Sequence, residues 1–284
     1  MYYSPAFLLR QHSGNLEGSC YCHTGYGNTG IWQIQVKTLC IKAISVYILK
    51  MDMEFEDILQ TFPAASDYLS AIYLINRDHG HVSNSKLADW LDVSRPAVSQ
   101  AVNRLKKLDL ITQERYSHIQ MTERGSRFAV KMLRRHYLLE HFLMDHLGFT
   151  WDEIDIEAKR LQNNISDIFE ERMFKALGKP QTCPHGNPIP GTDDEEKILA
   201  YPQISGAEEG ESGIFSRITE EGEEKEGLLK YIHEHEIHLG DRFTVKSRKE
   251  DGLLVDFQRQ DNVQSMEEIV LPREFCDYLC YSPA

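Results

Sequence analysis

Long apolar runs are missing from this sequence. The longest uncharged apolar stretch near the N-terminus, 43–49, is seven residues, far short of the ~20 that a membrane-spanning helix needs. No membrane association is expected. A basic leader followed by an apolar region and a cleavage site is also lacking, so a cytoplasmic location is expected. Cysteine is scarce, with six in 284 residues. Cys20, Cys22 and Cys40 lie in the first 50 residues, and Cys183, Cys276 and Cys280 are far from them. Such thiols are expected to be free in a reducing compartment. Cys20 and Cys22 alone fall short of the ligand count of a metal site. Also missing are a nucleophile elbow, a phosphate loop and a clustered acid/base pair, so the sequence does not read as an enzyme. No internal repeat or low-complexity tract is found.

Basic residues are in the minority, 31 Lys and Arg against 44 Asp and Glu, for a formal charge of -13. A nucleic-acid partner is at first sight excluded. The charge is segregated, however. Residues 83–135 hold 11 Lys/Arg and 5 Asp/Glu, a local +6 that can still face phosphate. With 41% hydrophobic and 26% charged residues, the chain has the composition of a folded protein.

Residues 1–50 carry only a short strand-like alternation (Ile31, Gln33, Ile34, Val36) and read as an unassigned leader, either disordered or a mis-called start before Met51 and Met53. The next segment, 51–122, reads as a winged helix-turn-helix. Ala65, Tyr68, Leu69, Ile72 and Ile75 share one face of a first helix. Ser83 caps a second helix, and Ser94, with Pro96 behind it, caps a third that carries Val98, Ala101, Val102, Leu105 and Leu108. Leu110 to Glu114 and His118 to Thr122 then form a wing hairpin around Arg115. A long helix follows over 123–147, capped by Thr122 and ended by Gly148, and a second is expected to run unbroken from Thr150 to Leu177. Residues 192–226, with 12 acids and 3 bases, read as an acidic linker. The tail, 227–284, has one helix and then strand-like Phe243 to Val245, Leu253 to Val255 and Ile269 to Leu271, expected to form a small β-barrel.

The third helix has the composition of a recognition helix, in which short polar side chains reach base edges and flanking cations reach phosphate. Gln100 could pair with an adenine edge and Ala97 could touch a thymine methyl. Ser94, Pro96 and Ser99 complete the leading turn. Arg95, Arg104, Lys106, Lys107 and, in the wing, Arg115 could take phosphate. The competing reading is a structural three-helix module that binds protein.

Several ordered segments resemble the diphtheria-toxin-repressor family of metal-responsive transcription factors, which includes the iron- and manganese-dependent repressors. They are Asp67 to Tyr73, Val93 to Gln100, the pair His136 and Glu140, Gly148, Glu157 with Ala158, and Cys183 to Pro190. The resemblance covers about 60–191 and continues more weakly to about 282. It implies three parts: the winged helix, a helical dimerisation and metal-sensing domain over 123–191, and a C-terminal SH3-like barrel. It also implies a homodimer on a palindromic operator in double-stranded DNA, acting as a repressor with Fe2+ or Mn2+ as corepressor.

The resemblance breaks at one metal site. The family combines a first-helix ligand, here Asp67, with three positions on a later helix that are here Lys159, Gln162 and Asn163. Lysine only donates and amides are poor ligands, so this site is not expected to assemble. Two readings stand open there: Lys159 pairs with Asp67 while Gln162 and Asn163 add hydrogen bonds, a bridge that replaces the metal, or Lys159 points into solvent and the site has decayed. A second family site maps onto His136, Glu140 and Asp155, with His136 and Glu140 on one helical face and Glu224 or Glu226 as a further carboxylate. A solvated polar patch is the alternative. Cys183 and His185 are expected to shape a turn, and His233 to His238 to form a solvated surface. A metal-independent regulator or a protein-interaction module remains the competing function.

Overall fold

The computed structural model describes residues 55–114, 117–259 and 266–283. The expectations for the leader, for Cys20, Cys22 and Cys40, and for Arg115 lie outside them. Residues 55–61 are helical (α1), followed by α2 (Ala65–His79), α3 (Asn84–Trp90) and α4 (Arg95–Lys107). The caps are local chemistry. Ser83 accepts from the Lys86 N–H and Ser94 from the Ala97 N–H, which satisfies donors the helix itself leaves unpaired. The wing is a short antiparallel pair, β1 (Ile111–Thr112) with β2 (Gln120–Met121), in the register Ile111 to Met121. Its core joins Ile72 and Ile75 of α2 to Leu87, Val98 and Leu105.

Helix α5 (Glu123–Leu147) starts at the Thr122 cap and stops at Gly148, whose φ of 75° suits a residue without Cβ. Gly125 is required for another reason, because a Cβ there would lie 1.9 Å from the Leu110 carbonyl oxygen. The single helix expected beyond Thr150 is two helices, α6 (Trp151–Leu161) and α7 (Asp167–Ala176). Asn163, Asn164 and Ser166 break it. The Asn164 amide turns back to the Arg160 carbonyl, and the Ser166 hydroxyl accepts from the Phe169 N–H to start α7.

The segment expected as an acidic linker is built into the C-terminal fold. It holds α8 (Glu195–Leu199), a 3-10 turn at Ile204–Gly206, β3 (Ser212–Ile218) and α9 (Glu220–Glu223). Beyond it come α10 (Leu228–Glu234), β4 (Arg242–Arg248), β5 (Gly252–Gln258), β6 (Met266–Pro272), α11 (Arg273–Cys276) and β7 (Leu279–Pro283). The strands form an antiparallel sheet in the order β6-β5-β4-β3-β7. Ile204, Phe215 and Ile218 of the supposed linker are fully buried in its core. Composition misled here because the acids cluster in the turns and in α8 and α9, while β3 itself is Ser-Gly-Ile-Phe-Ser-Arg-Ile. No pairing joins β6 to β7 among the described residues, so the sheet is open and the expected barrel is not closed. No helix among the described residues is long and apolar enough to cross a membrane.

Candidate metal centre and nucleic-acid interface

On α4, Ser94, Arg95, Pro96, Ser99 and Gln100 are exposed and Ala97 is half-buried, so the leading turn is open to a partner. The Ser99 hydroxyl donates to the Arg95 carbonyl at 3.0 Å. Arg104 is exposed but engaged. Its guanidinium lies 4.5 Å above the Phe62 ring and donates to the Thr61 carbonyl, tying α4 to the end of α1. Lys106 donates to the Gln113 carbonyl at 2.9 Å, which ties α4 to the wing. Lys107 is exposed.

Beneath this module α5 carries His136 and Glu140 one turn apart. His136 Nε2 lies 3.2 Å from Glu140 Oε1 and 3.3 Å from Asp155 Oδ1 on α6, and its Nδ1 faces Gln162 Oε1 at 3.0 Å. Burial opposes a charge on His136, but Glu140 and Asp155 outweigh it and push its pKa up to about 10. Burial likewise acts against the Asp155 carboxylate. His136 and Lys159 outweigh it, and the carboxyl is held well below the usual range. The imidazolium is therefore clamped between two carboxylates.

A second group of donors comes from the turn after α7. The Cys183 N–H donates to the Asn187 carbonyl at 2.8 Å and the Gly186 N–H to the Cys183 carbonyl at 3.0 Å. Gly186 has φ +87°, and a Cβ there would sit 2.2 Å from the Ser216 carbonyl oxygen of β3, so only glycine lets the turn dock. The docked turn places Cys183 and His185 against Glu140. One donor atom from each of the three lies within 4.8 Å of the others, as it does in the set His136, Glu140 and Asp155. Glu140 belongs to both sets. His185 Nδ1 is 3.2 Å from Glu223 Oε2 of α9 and 3.9 Å from Glu140 Oε1.

This second set fits a cation. Both oxygens of Glu140 and Nδ1 of His185 are buried; His136 Nε2 stands 3.2 Å from Glu140 Oε1 and Glu223 Oε2 stands 3.2 Å from His185 Nδ1, which leaves Glu140 Oε2 without a hydrogen bond and free to meet a cation. Burial lowers the His185 pKa, which leaves a neutral imidazole able to ligate. Burial, with Glu140 and Glu223 nearby, raises the Cys183 thiol well above its ordinary value. The thiol then holds its proton until a cation displaces it. Thiolate, imidazole and carboxylate together suit a divalent transition metal.

The remaining expected residues fall elsewhere. Asp67 is exposed and accepts from the Ser66 hydroxyl at 3.3 Å. Lys159 does not bridge to it: its ammonium sits 2.8 Å from Asp155 Oδ2 and 2.7 Å from Glu224 Oε1, on a half-exposed side chain. Gln162 is taken by His136, and Asn163 Oδ1 is buried without a partner. The Asp67 bridge fails because α6 aims Lys159 at its own preceding turn and at α9. Glu224 is thus a partner of Lys159 and Glu226 is exposed, while Glu223, which the sequence reading passed over, faces the donors. Cys183 and His185, expected to be structural residues of a turn shaped by Gly and Pro, lie in such a turn, but their side chains also enter a donor set. The Cys-x-His spacing was visible in the sequence, but the return of that turn onto Glu140 was not. In the histidine-rich segment, His235 stacks on Tyr231 at 4.0 Å, and no donor cluster forms there among the described residues.

Comparison with known proteins agrees with this layout. Residues 60–119 match the family model described as the iron dependent repressor N-terminal DNA binding domain. Residues 122–191 match its metal binding and dimerisation domain. The chain is 37% identical over 124 residues to the iron-dependent repressor IdeR of Mycobacterium tuberculosis, covering 44% of this chain and 54% of that relative. It therefore spans about half the length of that relative. The Mycobacterium leprae protein of the same name is 28% identical over 214 residues, 71% of this chain and 92% of its own. Among solved structures, a manganese-dependent transcriptional repressor in complex with manganese superposes with a TM-score of 0.66 at 29% identity, covering 78% of this chain and all of that one.

Proposed function

Residues 60–119 and 122–191 match the two domain models of the iron dependent repressors, and on that premise we propose that this protein is a dimeric, sequence-specific transcriptional repressor whose DNA affinity is set by a divalent transition metal. The observation that supports the reading is the convergence of buried donor atoms from Glu140, Cys183 and His185 within 4.8 Å of one another. Glu140, Cys183 and His185, with Glu223 as the adjoining carboxylate, would hold the cation, Fe2+ or Mn2+ by analogy with the relatives. His136 and Asp155 share Glu140 and already carry compensating charge, because the His136 imidazolium and the Lys159 ammonium both bear on them. They are read as the support of the centre, and as a second metal position only after His136 loses its proton.

Gln100 and Ser99 would read base edges, and Arg95 and Lys107 would take phosphate. Two copies would pair through α6 and α7, where Ile156, Leu161, Ile168 and Phe169 stay exposed, and would span a palindromic operator. The open C-terminal sheet is read as a variant of the SH3-like module. One observation favours a metal-independent regulator: Lys159 is a built-in cation tying α6 to α9.

The test is metal analysis of the purified protein together with binding to duplexes that it selects from a randomised pool, with and without chelator. One metal ion per protomer, and binding that falls on chelation, is the expected outcome. Equal binding in chelator would favour the metal-independent regulator.

A further inference from the structure

The DNA-binding module and the C-terminal sheet meet at the end of α2, and the contact is written in charge. Helix α2 ends in Arg77, Asp78 and His79, which face the corner between β3 and α9. Arg217 Nη2 lies 3.5 Å from Asp78 Oδ2, Arg77 Nη2 lies 3.7 Å from Glu220 Oε1, and His79 Nε2 lies 3.5 Å from Glu221 Oε2. The Arg77 and Arg217 side chains are 7% and 5% exposed, so their two pairs are largely desolvated, whereas the His79 pair lies at the surface. Glu220 also accepts from the Tyr137 hydroxyl of α5.

The same corner is tied to the candidate metal centre. Arg217 Nε donates to Asn187 Oδ1 at 2.6 Å, and Asn187 Nδ2 donates both to the Ile218 carbonyl at 2.8 Å and to the Glu223 carboxylate. Asn187 lies in the turn that carries Cys183 and His185, and the Ile218 N–H donates to the His185 carbonyl at 2.9 Å. A chain of contacts, buried at His185 and Asn187 and part-buried at Asp78, therefore runs from His185 through Glu223, Asn187 and Arg217 to Asp78.

Resting on the reading that Glu140, Cys183 and His185 take a cation, we propose that Arg217 is a positioning residue that couples that centre to the winged helix through Asp78. A buried guanidinium shared between two modules is held only while both partners stay in place, since an unpaired buried charge is costly. Glu223 must divide its oxygens between His185 and Asn187. A change in that division reaches Arg217 through Asn187, and Arg217 in turn bears on Asp78, which also accepts from Arg77 Nε at 2.8 Å within α2. Beyond Asp78 the signal has a short path, since Ile72 and Ile75 of α2 pack in one core with Val98 and Leu105 of the recognition helix. Dense packing passes on small shifts instead of absorbing them.

Two conservative variants test the coupling. Asp78→Asn keeps the shape and removes the charge, whereas Arg217→Lys keeps the charge and cannot reach both Asn187 and Asp78. Neither residue is a donor of the centre or a DNA contact. The readouts are the gain in affinity for a selected duplex on adding Mn2+ alone, the reciprocal gain in Mn2+ affinity on adding duplex, and amide exchange at residues 76–79. In the wild type Mn2+ should tighten duplex binding by about 5- to 150-fold, a usual size for such coupling, and should slow exchange at 76–79. Both variants should still bind Mn2+ but lose most of that gain in both directions, with exchange at 76–79 no longer responding. Variants that weaken duplex binding equally with and without Mn2+, leaving the ratio unchanged, would show Arg217 to be merely structural and overturn the proposal. A wild type with no Mn2+ response would overturn the cation reading beneath it.

Discussion

Gln100 and Lys107 stand two helical turns apart on the exposed side of α4 and would meet different parts of a duplex. Gln100→Ala should cost about 1 to 3 kcal/mol of discrimination if the amide makes a bidentate contact to adenine. Lys107→Ala should weaken binding to every sequence and reduce the salt slope by about one. Titrations against selected and random duplexes at several salt concentrations separate the two, and equal losses on both for Gln100→Ala would refute its assignment. A second prediction at this scale concerns Cys183. Burial holds its thiol protonated at neutral pH, and Glu223 is likewise raised well above the carboxylate range by burial and by Glu220 and Glu140. Cation binding must then release at least one proton, so acid competes with metal. Metal affinity should rise by about tenfold or more per pH unit between about pH 6.5 and 8.5, measured by competition with a chelator of known proton affinity. A flat profile would remove Cys183 from the ligand set.

At the scale of elements, what could be read in the sequence was what local chemistry decides. Ser83, Ser94 and Thr122 cap the helices they precede, and Gly148 ends α5, because capping depends on a few adjacent residues. The break between α6 and α7 was written in Asn163, Asn164 and Ser166 but was outvoted by an apolar period that continues on both sides of it. Strand β3 was hidden by acidic neighbours, and its buried Arg217 looks polar until Asn187 and Asp78 are seen beside it. His136 with Glu140 was legible as an i, i+4 pair. The set with Cys183 and His185 was not, because the docking of Gly186 on Ser216 is a contact distant in sequence. The apolar surface of α6 and α7 carries the dimer prediction. Ile168→Glu with Phe169→Glu should weaken self-association by at least about tenfold in sedimentation, about 1.4 kcal/mol. A wild-type monomer at micromolar concentration would sink it.

The whole molecule sets a local charge of +6 over 83–135 inside a chain of -13. The acids outside that segment would repel phosphate from the rest of the surface, and some of them are internal. Glu140, Glu220 and Glu223 are drawn from α5 and α9 to one buried junction where winged helix, helical domain and C-terminal sheet meet. Such a junction is where a bound cation can report to every module at once. The most direct test of that account is a Co2+ titration followed in the near ultraviolet. The account predicts a thiolate-to-cobalt charge-transfer band saturating at one Co2+ per protomer, retained in His136→Ala and lost in Cys183→Ser. A band that survives in Cys183→Ser, or no band in the wild type, would contradict it.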